Sequence, residues 1–501
     1  MESHINWTAL WVFLFFFALV TVLGFGASRW QRGGKKGEKP EAHLDEWGLG
    51  GRKFGTWITW FLVGGDFYTA YTVIAVPALV YAVGAYGFFA LPYTILVYPI
   101  VFCIMPKLWT VAQKAGHVTA ADVVFGRFKS RPLELAVAVT GVVATMPYIA
   151  LQLVGMEVVI KALGLTGELP LAAAFIILAL YTYSAGLRAP ALIAFVKDLM
   201  IYIVVLVAIV LVPSKLGGYA AVFQSAGDAF AAKGGATGLI LQHQQYLPYA
   251  TLALGSALAA FMYPHTLTGI FAAKSANTIR KNAVFLPAYT LLLGLIALLG
   301  YMAYAAKLDI KSNNDVVPAL FNALFPSWFT GFAFAAIAIG ALVPAAVMSI
   351  GAANLFTRNF WKAYVQPDVT PAGEAKVAKI VSLVVKVGAL VFIIFLPTQF
   401  ALDLQLLGGL WILQTFPSVV FGLFMNWFRS KALFAGWAVG LIFGSTVVFM
   451  DGVKPVHTFI IGGDPYTVYT GLLALVLNIA VVVVVQVVHN IVSPAPALAK
   501  A

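Results

Sequence analysis

Midway along an apolar run near the N-terminus, the chain reads Trp60-Phe-Leu-Val-Gly64-Gly65-Asp66-Phe67-Tyr68-Thr69-Ala-Tyr71. Adjacent glycines weaken a helix by about 1 kcal/mol each relative to alanine, and an acid in mid-membrane is costly unless paired or hydrated. Unwound backbone at that depth is tolerated only where it lines a protein cavity. The stretch therefore predicts a membrane helix interrupted at Gly64–Asp66 beside an internal site. The alternative is close helix packing by the glycines, with Asp66 as a satisfied buried acid.

A second apolar run is interrupted differently, by Ala260-Phe-Met-Tyr263-Pro264-His265-Thr266-Leu-Thr268-Gly269. Pro264 removes a backbone hydrogen bond and kinks the helix, which frees a carbonyl toward the interior. Taken alone, Pro264 is equally well a simple kink and His265 a hydrogen-bonded core residue. The two interruptions fall at matching positions of two halves of the chain, however. Paired interrupted helices are the best sequence indication of a transporter site.

The composition indicates that these two stretches lie in a membrane. Of 501 residues, 61% are hydrophobic and 10% are charged, whereas soluble proteins carry about 25% charged residues. A membrane-crossing helix needs about 20 apolar residues, so the chain is predicted to be an all-α integral membrane protein with about 13 spans. The predicted spans are 8–27, 54–83, 86–106, 133–160, 170–189, 195–213, 248–271, 283–306, 330–357, 378–399, 403–425, 432–450 and 467–489. One cysteine, Cys103, excludes a disulfide framework and a multi-cysteine metal site.

The net charge of +12 is arranged in short loops on alternate sides of the spans. The loops with more Lys and Arg, one of which holds Arg188 and Lys197, are predicted to face the cytoplasm. In a bacterial inner (plasma) membrane, this places the N-terminus outside and the C-terminus inside. The first span is not a cleaved signal, because basic residues follow it and none precedes it. Residues 218–232 and Val316–Phe325 predict surface helices, and the tail after 490 predicts a frayed end.

The order of the spans predicts an internal repeat. Spans 2–6 begin inside and spans 7–11 begin outside, as an inverted repeat requires, and an interrupted helix opens each group. We predict a single transporter domain over 1–501, with a first five-helix repeat at 54–213 and a second, inverted repeat at 248–425. The segments 8–27 and 432–489 are predicted to be peripheral spans.

Five short motifs, in order along the chain, resemble the sodium:solute symporter family, which includes bacterial proline, pantothenate, acetate and sugar carriers. They are Gly64–Phe67, Tyr148–Gly155, Tyr181–Ala189, Pro264–His265 followed by Phe271–Ser275, and Phe356–Trp361. Within the family, Gly186–Asp198 and Gly340–Ala345 resemble the monocarboxylate permease branch. The resemblance covers most of the chain and implies a five-plus-five inverted-repeat core with the leucine-transporter fold.

The same resemblance implies a secondary active symporter, not an enzyme, that imports short monocarboxylates with a cation. The expected substrates are lactate, pyruvate, acetate- or propionate-like acids and, as a further option, alanine. No Arg or Lys lies in the predicted cavity helices, so freed N–H groups and positive helix ends would bind the carboxylate. The predicted substrate-binding residues are Gly64, Gly65, Tyr68, Thr69, Tyr148, Gln152, Tyr263, His265, Trp411 and Gln414. We expect membrane lipid as a partner, no cofactor, no nucleic acid, and a monomer.

Departures from the family pattern concern the coupling ion. Val343 and Pro344 stand where sodium-coupled members place two hydroxyl residues, Ile193 and Ala194 replace a Thr-Asp pair, and Gly269 replaces an Arg. A hard cation prefers several oxygen ligands, so a proton is favoured over sodium. The alternative is a sodium ion displaced from the usual position and bound by Asp66. The predicted coupling residues are Asp66, as the titrating group, with Gly64, Phe67, Gly340 and Val343.

Other functions stay open from the sequence. The first alternative is a sodium-coupled symporter for another small solute, such as an amino acid, and the second is a transporter-like sensor. A channel would typically show a pore motif repeated around an oligomer, and an intramembrane enzyme would need a paired nucleophile and base or a metal cluster; neither pattern is seen. Lys386, a lone cation in the tenth span, is expected to snorkel or to form a structural ion pair.

Overall fold

The structure is a computed structural model, described over residues 5–30, 43–65, 69–166, 169–234, 237–395 and 401–492. The first half contains α1 (Trp7–Gly26), α2 (Leu44–Leu49), α3 (Thr56–Gly65), α4 (Val76–Val83), α5 (Ala90–Ala115), α6 (Ala120–Phe128), α7 (Arg131–Ala162), α8 (Leu169–Ala185), α9 (Arg188–Lys215) and α10 (Gly218–Ala232). The second half contains α11 (Tyr246–Ala260), α12 (Pro264–Ala272), α13 (Ala276–Phe285), α14 (Pro287–Ala297), α15 (Leu299–Ala305), α16 (Val316–Leu324), α17 (Ser327–Phe356), α18 (Pro371–Phe395), α19 (Ala401–Leu413), α20 (Gly422–Phe424), α21 (Ser430–Met450) and α22 (Thr470–Val492). A hairpin of β1 (Val456–Ile461) and β2 (Asp464–Tyr469) precedes α22.

Every predicted span overlaps at least one of these helices. By length and composition, 8 helices in the described ranges can cross a membrane, or 9 if Ala401–Leu413 and Pro417–Phe424, bent by 42°, form one span. Of the remaining predicted spans, 170–189 falls on the shorter helix α8, 54–83 and 248–271 fall on pairs of shorter helices, and 378–399 falls on the 25-residue helix α18. The number of crossings and the boundaries of the two five-helix groups therefore stay predictions.

The second predicted interruption coincides with a helix end, whereas the first borders residues that lie outside the described ranges. Helix α3 ends at Gly65, residues 66–68 lie outside the described ranges, and helix resumes with the π-helical segment Tyr71–Ala75. In the second run, α12 begins at Pro264 after Tyr263, whose φ of −61° and ψ of 140° are extended. Proline is tolerated at the first position of a helix because its missing N–H would have no intrahelical partner there. The predicted break at Pro264 is thus confirmed.

Helix α17 occupies the centre of the fold, packed against α1, α7, α9 and α12. Its side chains from Ala333 to Leu355 are all buried. Many of them are alanine or glycine, and small residues let helix backbones approach closely in membranes. At Gly331, an added Cβ would lie 2.2 Å from the carbonyl oxygen of Ala9 in α1. Helix α1 is therefore held at a distance that a side chain at this position would prevent.

Substitution of Gly331 by alanine is accordingly expected to push α1 away from α17 and to lower the melting temperature of the detergent-purified protein. Overpacking of this kind costs about 1–3 kcal/mol. Gly26→Ala is the matched control, because a Cβ there meets nothing within 4 Å. If scanning fluorimetry gives the two variants the same melting temperature, the docking of α1 does not depend on this contact.

No strand is predicted from the sequence, yet residues 456–469 form an antiparallel hairpin. Gly462 and Gly463 make its turn with φ of 63° and 97°, a backbone region that favours glycine. Tyr469 ends the hairpin fully buried and donates its hydroxyl to the carbonyl oxygen of Leu406 at 2.7 Å. The hairpin is therefore anchored on α19. The segments 218–232 and Val316–Phe325 are confirmed to be helical, as α10 and α16, and their location at the membrane surface stays a prediction.

Candidate functional site

Three of the predicted site residues meet beside the break between α11 and α12. Tyr148 of α7 has its ring centroid 5.3 Å from that of Tyr263 and 5.4 Å from that of His265. The rings of Tyr263 and His265 are 5.2 Å apart, and all three side chains are buried. The Tyr263 hydroxyl donates to the carbonyl oxygen of Gln405 at 2.9 Å, which fixes the ring against α19. An aromatic cluster with one imidazole therefore lies beside the break between α11 and α12.

Gln152 connects this cluster to the restart of the first interrupted helix. Its Nε2 donates to the carbonyl oxygen of Tyr148 one turn earlier at 3.4 Å, and its Oε1 accepts from the backbone N–H of Ala70 at 3.1 Å. Thr69, also buried, accepts from the N–H of Tyr71 at 3.0 Å. Both predicted residues satisfy backbone groups that the interruption leaves without helical partners. The Gln152 bond holds the resumed helix against α7, and the Thr69 bond caps that helix locally.

A small cavity, of about 20 Å³, adjoins the aromatic cluster. Its described lining is Val63, Tyr93, Val97, Val101, Tyr148, Ala260, Tyr263, His265, Thr266, Leu286 and Gln405. None of these side chains is acidic or carries the permanent charge of Lys or Arg. Within the described residues, the buried Nδ1 of His265 has no hydrogen-bond partner. The cavity therefore combines apolar walls with a buried polar group that is not satisfied by the surrounding protein.

A second small cavity, also of about 20 Å³, lies at the same break and is lined by a different set of residues. Met262 and Pro264 line it together with Thr119 and Asn354, and it shares no lining residue with the first cavity. Pro264 is approached closely here, since a Cβ on Gly351 would lie 2.8 Å from its carbonyl carbon and oxygen. Two cavities therefore adjoin residues 262–265, one on the His265 side and one bordered by the loop before α6.

Trp411 and Gln414 are not brought to either cavity. The indole N–H of Trp411 donates to the hydroxyl oxygen of Ser445 in α21 at 3.0 Å. Gln414 donates to the carbonyl oxygens of Leu410 and Gly471, and its Oε1 accepts from Asn478 at 3.2 Å. Both side chains, one in α19 and one directly after it, thus bind the C-terminal helices.

The glycines of the first interruption pack against neighbouring helices. A Cβ on Gly64 would lie 2.3 Å from the ring of Tyr289 in α14, and one on Gly65 would lie 2.8 Å from Nζ of Lys197 in α9. The Gly65 carbonyl oxygen accepts a hydrogen bond from that Nζ at 2.6 Å. Close packing by Gly-Gly, the alternative raised by the sequence, is therefore present at this break.

Comparison with known proteins identifies the family. The family model described as "Sodium:solute symporter family" matches residues 47–440. The chain belongs to the sodium:solute symporter family. A "Monocarboxylate transport permease protein" of Rhizobium johnstonii (strain DSM 114642 / LMG 32736 / 3841) is 74% identical over 488 residues, covering 97% of this chain and 98% of that one. An uncharacterized symporter of Bacillus subtilis (strain 168), YodF, is 32% identical, covering 96% and 93%.

A solved sodium-coupled sialic acid symporter, in a substrate-bound outward-open state, has the same fold. The TM-score is 0.77 with 15% sequence identity, and the match covers 98% of this chain and 99% of that one. The chain is thus an all-α membrane protein with the leucine-transporter architecture, as predicted. Like the other members of the sodium:solute symporter family, it is a symporter of a small solute and not an enzyme.

The predicted coupling residues of this symporter are only partly described. Gly340 and Val343 lie buried in α17, as does Pro344. Asp66 and Phe67, together with the predicted substrate residue Tyr68, lie outside the described residues. The structure also shows a buried cation that was not among the predicted site residues. This residue is Lys197, which the sequence assigns to a cytoplasmic loop. It is instead fully buried within α9 beside Asp198. The detectable signal was a Lys-Asp pair at the start of an apolar span.

Lys386, the other cation of interest, does not snorkel. Its side chain is buried, and its Nζ donates to the carbonyl oxygen of Ser382 at 3.2 Å, one turn earlier in α18. No ion pair to Lys386 is found among the described side chains. The expectation of a snorkelling residue is therefore wrong.

A polar cluster below the second cavity joins three segments. The buried Asn359, just after α17, donates from Nδ2 to Asp122 Oδ1 at 2.7 Å and to Glu134 Oε1 at 2.8 Å. Its Oδ1 accepts from the hydroxyl of Thr119 at 2.7 Å. Arg131 pairs with the outer oxygen of Glu134 at 2.7 Å. One amide therefore links α6, α7 and the end of the central helix.

Proposed function

We propose that this protein is a secondary active symporter that imports short monocarboxylates across a bacterial plasma membrane. The proposed substrates are lactate, pyruvate, acetate- or propionate-like acids and alanine, carried with a proton rather than sodium. The observation that carries the substrate class is the 74% identity, over nearly the whole of both chains, to a protein named as a monocarboxylate permease. The proposed orientation places the N-terminus outside and the C-terminus in the cytoplasm.

The cavity beside His265 fits such a substrate chemically. A short monocarboxylate presents an anionic head and a small apolar tail. The lining supplies aliphatic walls from Val63, Val97 and Leu286 and aromatic walls from Tyr93 and Tyr148. Donors for the head are the first N–H groups of α12 at its positive end and the imidazole of His265. With no fixed cation in the described lining, the affinity should be modest and tails of different shapes should be tolerated.

The coupling ion is argued from the oxygen ligands available. Val343 and Pro344 supply no side-chain oxygen, which leaves backbone carbonyls such as those of Gly64, Phe67 and Gly340. Such a set is small for a hard cation that must lose its water. A proton needs only a titratable group, which we propose to be Asp66. Protonation of Asp66 would relieve its repulsion of the substrate carboxylate, so proton and substrate would bind with positive coupling.

Purified protein in liposomes tests the substrate class. Uptake of radiolabelled pyruvate should be inhibited by lactate, propionate and acetate in excess, because all share the carboxylate and a short tail. Empty liposomes correct for the uncatalysed entry of neutral acids. If no short monocarboxylate inhibits and an amino acid other than alanine inhibits strongly, the protein carries that amino acid instead.

The same vesicles test the ion. A pH gradient, acid outside, should drive accumulation of pyruvate without sodium, because protons then move down their gradient with the substrate. A sodium gradient at equal pH should add nothing. Accumulation that follows the sodium gradient and ignores the pH gradient would show that the proton assignment is wrong.

A further inference from the structure

An ion pair lies inside the membrane region at the end of the first interrupted helix. Lys197 and Asp198 are both fully buried in α9, with Nζ of Lys197 3.0 Å from Oδ1 of Asp198. Nζ also donates to the carbonyl oxygen of Gly65 at 2.6 Å. On the other side, the Tyr289 hydroxyl donates to Oδ2 of Asp198 at 2.7 Å. The pair thus connects α9 to the last residue of α3 and to α14.

In the described part of the chain, the helices that pack most closely against the pair carry few titratable groups. Helices α1, α3 and α17 pack against α9, and their sequences contain no acidic, basic, histidine, cysteine or tyrosine residue. Helix α14 contains only Tyr289 of these types. Further titratable residues on α9 or on segments that contact it are Arg29, Tyr181, Tyr183, Arg188, Tyr202, Lys215, Tyr219, Asp228, Tyr301 and Tyr304. Within the described residues, Tyr289 is the one whose polar atom bonds the pair, and Asp66 follows Gly65 in the sequence.

Stability alone does not account for such a pair. Removing two charges from water costs several kcal/mol each, and well-packed apolar residues of similar volume are often as stable or more stable. The position of the ammonium is informative, because the carboxyl end of a helix carries partial negative charge and favours a cation. Lys197 supplies that cation from the protein itself. It holds the broken end of α3 through one carbonyl, and the strength of that bond depends on the charge of the amine.

We propose that Lys197 and Asp198 form a proton-binding site of the transport cycle, with the Lys197 ammonium as a built-in cation at the break. This inference rests on the proposed proton symport and adds a second site beside Asp66. A proton from the external water binds the neutral amine of Lys197, and the resulting ammonium bonds to Gly65 and Asp198. Release of that proton to the cytoplasmic water returns the neutral amine and weakens the hold on α3. The helix is then free to move on the return step.

Two variants separate proton binding from a structural role. Lys197→Arg keeps a cation that cannot lose its proton, so it should hold α3 but fail to cycle. The double variant Lys197→Met with Asp198→Leu removes both charges and leaves neither unpaired. Lys386→Met is the matched control, since Lys386 is a buried lysine that bonds only a carbonyl of its own helix within the described structure. Asp66 stays intact in all three proteins.

Each protein is reconstituted in liposomes that contain a pH-sensitive dye. Pyruvate counterflow at equal pH reports substrate binding and translocation, while accumulation under a pH gradient and dye-detected proton entry report coupling. The two Lys197 variants should keep counterflow and lose about 5- to 150-fold in accumulation, the range typical of coupling between sites. Lys386→Met should keep both.

The outcomes distinguish the two proposals. If the wild type shows no pyruvate counterflow, the proposed substrate is wrong, and the variants are compared by proton entry with whichever solute the wild type carries from a panel of short acids, amino acids and sugars. Proton-driven accumulation at the wild-type level by Lys197→Arg or by the double variant overturns the inference, as does a wild type that carries solute with no proton entry. If the double variant does not fold, Lys197→Arg alone decides.

Discussion

Replacement of His265 by phenylalanine is expected to lower pyruvate uptake about 10- to 150-fold, because a hydrogen bond to a charged group contributes about 1.5–3 kcal/mol. Phenylalanine keeps a planar ring against Tyr148 and Tyr263, so the aromatic cluster should survive. What it removes is the nitrogen pair of the imidazole, whose buried Nδ1 has no hydrogen-bond partner among the described residues. Uptake measured at substrate concentrations above and below KM checks this prediction. The KM should rise, while the maximal rate should change little.

The controls for this substitution come from elsewhere in the chain. His243→Phe changes an exposed histidine at the entrance to α11, and Trp411→Phe removes an indole that bonds α21 rather than the cavity. Both variants should transport nearly as well as wild type. If His265→Phe transports normally while Trp411→Phe is inactive, the carboxylate is bound near α19 instead of at the break, as the sequence also allowed.

The breaks in the fold could be predicted because each has a local chemical cause. Pro264 cannot donate a backbone hydrogen bond, and adjacent glycines weaken a helix wherever they occur. Tyr263 and His265 followed from the break at Pro264, whereas Tyr148 was included because Tyr148–Gly155 resembles a motif of the family. Such signals need no knowledge of which helix neighbours which.

The direction in which a side chain points could not be predicted in the same way. Apart from Asp403 and Gln405 near its start, helix α19 is apolar, so no polar face near its end indicates whether Trp411 and Gln414 point to the cavity or to α21 and α22. Lys197 was assigned to a loop because a basic residue at the end of an apolar run usually marks one. Its burial depends on a carbonyl of α3, 132 residues away in the sequence. The hairpin at 456–469 does have a sequence pattern, since two glycines stand between strand-forming residues. That pattern is too short to appear as a long apolar run.

Asn359→Leu is expected to destabilise the folded protein more than substitutions of exposed residues do. The effect should be on the polar cluster that joins α6, α7 and the end of α17. The amide donates to two carboxylates, Asp122 and Glu134, and each hydrogen bond to a charged group contributes about 1.5–3 kcal/mol. Leucine has similar volume but no donor. The variant therefore leaves the inner oxygen of Glu134, whose side chain is only 3% exposed, without its amide partner. Arg131 still pairs with the other oxygen, so the buried carboxylate loses one of its two partners, and an unsatisfied buried acceptor is destabilising.

Scanning fluorimetry of the detergent-purified variant should show a melting temperature several degrees below that of the wild type. Asn322→Leu is the matched control, because Asn322 makes one hydrogen bond, to the carbonyl oxygen of Ala162, at an exposed position of α16. Asn359→Asp adds a further argument: it is nearly isosteric but places a third carboxylate against the other two. If the cluster holds α6, α7 and the end of α17 together by charge, this variant should melt below Asn359→Leu. If instead Asn359→Asp melts with the wild type, the amide's donors are not what holds these three segments together.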